Sequence, residues 1–157
     1  MGNMNITPVK PIASFSPAHP QKPVILLVED ESIVRQVTRE VLEHAGYQVL
    51  ESGGPQEALR LAVEHRGRIG LLLSDVVMPE MNGLDLALRI QEIQPRVTTV
   101  FMSGYADNAV LHKAVRDPLS TYIQKPFTIN VLLARVAEAL AKSSTAGHGA
   151  ALSGLSA

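Results

Sequence analysis

Glu29 and Asp30 follow the apolar run Val24-Ile25-Leu26-Leu27-Val28, Asp75 follows Leu71-Leu72-Leu73-Ser74, and Lys125-Pro126 follows Thr121-Tyr122-Ile123-Gln124. Ser103 closes a further run from Val97 to Met102. Short apolar runs separated by helical patterns describe parallel strands buried on both faces, and such sheets gather ligands and reactive groups at the carboxyl ends of their strands. Acids on neighbouring strands, roughly 5 Å apart, crowd together and cannot all stay ionised without a partner. A hard divalent cation such as Mg²⁺ relieves that conflict, because it takes oxygen ligands and prefers a few carboxylates with water and substrate phosphate. Lys125 brings a point charge able to pair with a carboxylate or a phosphoryl oxygen. Ser103 brings a hydroxyl that can donate to the same oxygen. The chemistry these residues suit is the reception of a phosphoryl group in an acidic, cation-holding crevice.

The elements that must position them alternate strand and helix five times. After the first strand, Ser32 is placed to cap a helix with Val34, Val37, Val41 and Ala45 at helical spacing, and Gly46 ends it. Tyr47 to Leu50 form a second strand. Pro55 suits the first turn of a helix carrying Ala58, Leu59, Ala62 and Val63, which stops at Gly67. Ile69 to Ser74 form strand three, and Leu86, Ala87, Ile90 and Ile93 mark a helix closed by Pro95. Strand four spans 97–102, a weakly patterned fourth helix spans 107–116, and strand five spans about 119–124. Thr128 caps a last helix with Ile129, Leu132, Leu133, Val136 and Leu140 on its apolar stripe. Five such units predict an α/β fold, a (βα)5 doubly wound parallel sheet of order 2-1-3-4-5, in which strands one and three are neighbours at the switch point.

A chain of 157 residues suits one domain with a proper core. A formal charge of −1 provides no global field for nucleic acid or anionic membrane. Zero cysteines exclude disulfides and thiolate metal sites and suit a cytoplasmic location. No apolar run approaches a membrane span. Pro8, Pro11, Pro17, Pro20 and Pro23 interrupt the amino-terminal stretch where a signal peptide needs an apolar helix. Ile6 occupies the place where a myristoylation signal needs Ser or Thr. Residues 1–23 therefore read as a disordered Pro-rich leader or linker, 24–142 as the domain, and 143–157 as a disordered tail. His19, His44, His65, His112 and His148 lack ligand spacing.

Val28-Glu29-Asp30-Glu31, Asp75-Val76-Val77-Met78-Pro79 with Asn82-Gly83, Met102-Ser103-Gly104-Tyr105, and Tyr122-Ile123-Gln124-Lys125-Pro126 together resemble the receiver domain of bacterial two-component response regulators. The segment from Phe101 to Asp107 is similar to receivers of hybrid sensor histidine kinases. The resemblance covers the whole of 24–142 and implies a flavodoxin/CheY-like fold. It implies that Asp75 accepts a phosphoryl group from a histidine kinase or histidine phosphotransfer protein. It also implies that Glu29, Asp30, Asp75 and the main-chain carbonyl of Val77 hold Mg²⁺, with Mn²⁺ as a substitute. Lys125 and Ser103 would contact the phosphoryl oxygens, Ser103 and Tyr122 would form the switch, and the bond before Pro126 would be cis. Such a domain is a signalling module with Mg²⁺-dependent self-phosphorylation and slow autodephosphorylation, not a classical enzyme. Its output surface, and the surface for a homodimer, would be the face of the fourth helix, fifth strand and fifth helix. No DNA-binding domain is expected after the last helix, and the downstream protein is unassigned.

Val77, two residues after the acceptor, and Tyr105, two after Ser103, cannot orient water as a carboxamide would, which predicts a long-lived phosphoaspartate. Two alternatives use the same residues. One is a receiver-like scaffold independent of phosphorylation. The other is a Mg²⁺-dependent phosphatase with an Asp nucleophile, which usually presents Asp-x-Asp after its first strand; Glu29-Asp30-Glu31 lacks that pattern. Neither a Gly-x-x-x-x-Gly-Lys loop nor a Gly-x-Gly-x-x-Gly fingerprint is present.

Overall fold

The computed structural model describes residues 23–104 and 120–153, with side chains through Ser143. The expected fourth helix at 107–116, together with Tyr105, lies outside the described residues. Five parallel strands form one sheet in the order β2-β1-β3-β4-β5. They are β1 (Val24–Val28), β2 (Gln48–Ser52), β3 (Ile69–Asp75), β4 (Thr98–Ser103) and β5 (Ser120–Gln124). Between them run α1 (Ser32–His44), α2 (Pro55–Glu64) and α3 (Gly83–Ile93), and a C-terminal helix spans Ile129–Ser153. The three inner strands β1, β3 and β4 are buried almost throughout, whereas the edge strands β2 and β5 are only partly covered. That contrast is what helices on both faces of a parallel sheet impose.

Alternation along β1 divides the core in two. Val24, Leu26 and Val28 join Leu72, Ala58, Ala62, Leu86 and Ile90 on the α2 and α3 side. Ile25 and Leu27 join Leu71, Leu73, Val100, Met102, Leu42, Leu132 and Val136 on the side of α1 and the C-terminal helix. Every one of these side chains is buried, each contributing on the order of 1–3 kcal/mol of transfer free energy.

Several local expectations are corrected. The cap position of α1 is Glu31, which makes no side-chain cap bond, and Ser32 is already helical. Val37 is 55% exposed, and the buried face of α1 runs through Thr38 and Leu42 instead. Val63 likewise faces outward at 53%. At their carboxyl ends strands three and four each run one residue further, because Asp75 pairs with Met102 and Ser103 with Gln124 in the ladders, and β4 begins at Thr98 rather than Val97. Gly46 and Gly67 do adopt left-handed φ values of 95° and 80°, where side chains are resisted. Thr128 does cap the last helix, its Oγ1 accepting from Val131 N at 3.2 Å. Helical backbone then continues beyond residue 142 to Ser153, over a stretch whose alanines have the highest helix propensity.

Gln94 ties α2 to the segment after α3. Its Nε2 donates to the carbonyls of Ala62 at 3.0 Å and His65 at 2.8 Å, and its Oε1 accepts from Gly67 N at 2.9 Å. Gln94→Leu keeps the volume and leaves these buried groups unpaired, so urea denaturation is expected to show a loss of about 3 kcal/mol.

Candidate functional site

The carboxyl ends of β1, β3 and β5 converge. The last ladder bond of β1 runs from Glu29 N to Ser52 O at 3.1 Å, after which the chain turns, with Glu31 N donating to Glu29 Oε1 at 3.2 Å. Beyond the strands, Val76 N still donates to Met102 O at 3.0 Å and Lys125 N to Ser103 O at 2.7 Å. The ladder thus holds Asp75, Ser103 and Lys125 at adjacent strand ends. Gly83 N donates to Val76 O at 2.7 Å and docks the start of α3 against the same turn. Asn82 caps that helix, its side chain accepting from Asp85 N at 2.8 Å.

Glu29, Asp30 and Asp75 each offer a carboxylate oxygen within 4.8 Å of the others. Glu29 is fully buried, Asp75 nearly so at 5% exposure, and Asp30 is exposed. Lys125 Nζ lies 2.7 Å from Glu29 Oε2 and 2.6 Å from Asp75 Oδ1. Burial pushes the Asp75 carboxyl up to about 8, the neighbouring Glu29 adds to that rise, and Lys125 opposes it. Burial also works against the Glu29 charge, but its hydrogen bonds with Asp75 and Lys125 hold it below the usual carboxylate range. Burial works against the Lys125 charge as well, and the two carboxylates outweigh it and raise the ammonium. Two buried carboxylates facing one ammonium leave an excess negative charge, and in the absence of another cation a proton on Asp75 neutralises it.

The Ser103 hydroxyl is buried and has no hydrogen-bond partner among the described residues. A buried hydroxyl left unpaired costs free energy, and a phosphoryl oxygen would satisfy it. Three convergent carboxylate oxygens are the donor set that suits a hard divalent cation. Of the other residues singled out in the sequence, Tyr122 lies on β5 opposite Phe101 and is 44% exposed. Val77 is 61% exposed. The Lys125-Pro126 bond is cis. Sequence reasoning missed Arg35, whose Nη1 donates to the Glu29 carbonyl at 2.7 Å; a cation on the turn side of α1, five positions beyond Asp30, was the available signal.

Residues 25–137 match the response regulator receiver domain family, and the chain belongs to it. Over 75% of its length it is 37% identical to the sensor kinase CckA of Brucella abortus (strain 2308), of which it spans 12%. Over 71% of its length it is 40% identical to the transcriptional regulatory protein CrdR of Helicobacter pylori (strain ATCC 700392 / 26695), of which it spans 52%. The fold is similar to that of a response regulator receiver domain protein from Clostridium thermocellum, with a TM-score of 0.70 and 28% identity, covering 78% of this chain and 98% of the other. Residues 25–137 are therefore a phosphoacceptor receiver domain of two-component signalling, a signalling module. Neither the scaffold nor the phosphatase reading is favoured. Among the described residues no helix is long and apolar enough to cross a membrane.

Proposed function

We propose that Asp75 is the phosphoacceptor and that Glu29, Asp30, Asp75 and the Val77 carbonyl hold Mg²⁺, with Mn²⁺ as a substitute. The observation that carries this reading is the bridging of Glu29 and Asp75 by Lys125 beside Asp30 and a Ser103 hydroxyl with no partner among the described residues. Bound Mg²⁺ would supply charge neutralisation for the phosphoryl oxygens and take the place of the proton on Asp75. An Asp75 carboxylate oxygen then forms the bond to phosphorus while the bond from phosphorus to the donor's histidine nitrogen breaks. Such a transfer needs in-line positioning and neutralised charge more than covalent help. Lys125 shifts its hold to a phosphoryl oxygen and keeps Glu29 as its counter-ion. Ser103 donates to a second oxygen, and its movement opens space for Tyr122 to turn inward.

The donor is a histidine kinase or histidine phosphotransfer protein. Ile33 and Val37, exposed at 77% and 55%, form with Pro126 and Phe127 a groove that Glu31 and Lys125 also line, so an apolar helix of that donor has a seat beside the acceptor. The phosphorylated state is long-lived, because Val77 offers no group to orient water, and the readout passes through the β5 edge and the C-terminal helix, by a downstream protein or a second copy. The working unit is residues 24–142, as a free regulator or as the receiver of a hybrid kinase in the cytoplasm.

Intact mass after incubation with acetyl phosphate and Mg²⁺ tests the assignment. One added phosphoryl group is expected, absent without metal and absent in Asp75→Asn. An adduct of equal yield in Asp75→Asn would move the acceptor elsewhere.

A further inference from the structure

Asp30 differs from the other two acids. Glu29 and Asp75 are buried and locked to Lys125, whereas Asp30 is exposed and its carboxylate has no hydrogen-bond or ion-pair partner among the described residues. With no partner among the described residues, its direction follows from its backbone and its own rotamer. That backbone has already left the sheet, since the last ladder bond is made by Glu29 N. A turn of this kind, carrying an unpaired side chain, is free to reorient unless its two ends are held.

One residue holds both. The Arg35 Nη1 donates to the Glu29 carbonyl at 2.7 Å, on the amino side of Asp30. The Arg35 backbone N donates to the Glu31 carbonyl at 2.9 Å, at the far end of the turn, as the first bond of α1, while the peptide unit between Asp30 and Glu31 is held by Glu29 Oε1. The guanidinium, which forms no ion pair with a carboxylate among the described residues, lies against Gly53 at the end of β2. A Cβ there would stand 3.2 Å from Nη1 and 3.6 Å from Cζ. Gly53 thus leaves the space through which Arg35 reaches across to β1. A planar fork with fixed donors holds a carbonyl at a defined angle better than a flexible ammonium.

We propose that Arg35 is the positioning residue of Asp30, clasping the turn at the Glu29 carbonyl before it and the Glu31 carbonyl after it so that its carboxylate points at the cation held by the acidic cluster. The inference rests on the Mg²⁺ reading given above. Residues that orient ligands through a further bond typically change metal affinity about 10- to 100-fold when removed. Arg35→Met keeps the aliphatic stem and the helical amide and removes only the side-chain half of the clasp.

The test is a titration of the full chain with MgCl₂, followed by amide resonances well below the melting temperature. Wild type, Arg35→Met, Arg35→Lys and Asp30→Asn are compared, and melting temperatures are recorded alongside. Arg35→Met is expected to raise the Mg²⁺ Kd about tenfold, and Arg35→Lys to recover part of that loss because its ammonium keeps one donor for the Glu29 carbonyl. The Mg²⁺ concentration for half-maximal phosphorylation should shift by a similar factor, more than the rate at saturating Mg²⁺ does. An unchanged Kd in Arg35→Met overturns the inference, whether or not the melting temperature falls, since a fall alone marks a purely structural contact. A weakened Arg35→Met with no recovery in Arg35→Lys counts against the clasp as the cause. Wild type that binds no Mg²⁺ overturns the metal reading, and the inference with it; a wild type that binds and an Asp30→Asn that does not keeps that reading whatever Arg35 does.

Discussion

Lys125→Met is expected to slow phosphorylation of Asp75 about a hundredfold, the scale on which removal of one preorganised donor from a reacting oxyanion acts. It is also expected to lower the stability of the metal-free protein by about 2 kcal/mol at alkaline pH. The ammonium bridges Glu29 and Asp75 at 2.7 and 2.6 Å, so its loss leaves two buried carboxylates facing each other. Breaking a buried pair costs about 3–5 kcal/mol, and the 27% exposure of Lys125 reduces the figure here. The loss is pH-dependent. Asp75 is raised from an ordinary 3.8 to about 8 in the folded protein, so between those values the unfolded chain ionises while the folded one keeps its proton. Stability from this group is therefore full at low pH and drains away as pH rises through about 8. Without Lys125 the folded carboxyl rises further and the window widens upward. Urea denaturation in chelator near pH 5 should show a small penalty, and near pH 9 the full one. An equal penalty at both would assign the loss to packing. Intact-mass time courses read the rate.

Gly83→Ala should be as damaging at a position with no chemistry of its own. A Cβ there would overlap the Asp75 carbonyl oxygen and lie 3.1 Å from both the Asp75 carbonyl carbon and Val76 Cα. Those are backbone atoms of β3 and the turn after it, so no rotamer change relieves the overlap. Either α3 retreats, losing the 2.7 Å bond from Gly83 N to Val76 O, or Asp75, the proposed acceptor, moves. We expect about 3 kcal/mol of destabilisation, together with about a hundredfold slower phosphorylation where the turn gives way, since a displacement of about 1 Å at a reacting group has that effect. Gly54→Ala is the matched control: its φ of −170° is extended backbone, and nothing lies within 4 Å of a Cβ there. It should melt and react as wild type. Thermal unfolding and intact-mass rates on the pair decide; a Gly83→Ala protein indistinguishable from Gly54→Ala would show that α3 is not packed against the acceptor as described.

Much of the fold was legible because strand signals are local. Leu71-Leu72-Leu73 can be buried on alternate faces only if both faces are covered, and five such runs alternating with helices make a doubly wound sheet, whose order is 2-1-3-4-5. The helices were less legible. Helical spacing marks an apolar stripe, but Val37 and Val63 belong to the stripes of α1 and α2 and face outward. Which side of a helix meets the sheet depends on its crossing angle and on where the strand hands the chain over, and neither is written in periodicity. The extra strand residues at Asp75 and Ser103 come from pairing with Met102 and Gln124, partners that a single run does not reveal.

By itself the sequence determined which residues stand at the strand ends and which chemistry they suit, since a carboxylate, an ammonium or a hydroxyl placed after a buried strand must emerge at the sheet's carboxyl edge. The tertiary structure alone decided how they meet. It brought Lys125 to Glu29 across 96 residues of chain, packed Gly83 on the Asp75 carbonyl, and carried the Arg35 guanidinium past Gly53 to the turn that holds Asp30. These contacts join side chains and backbone of different elements at distances of a few ångströms. Such distances are fixed by packing of the whole core, and no local pattern encodes them.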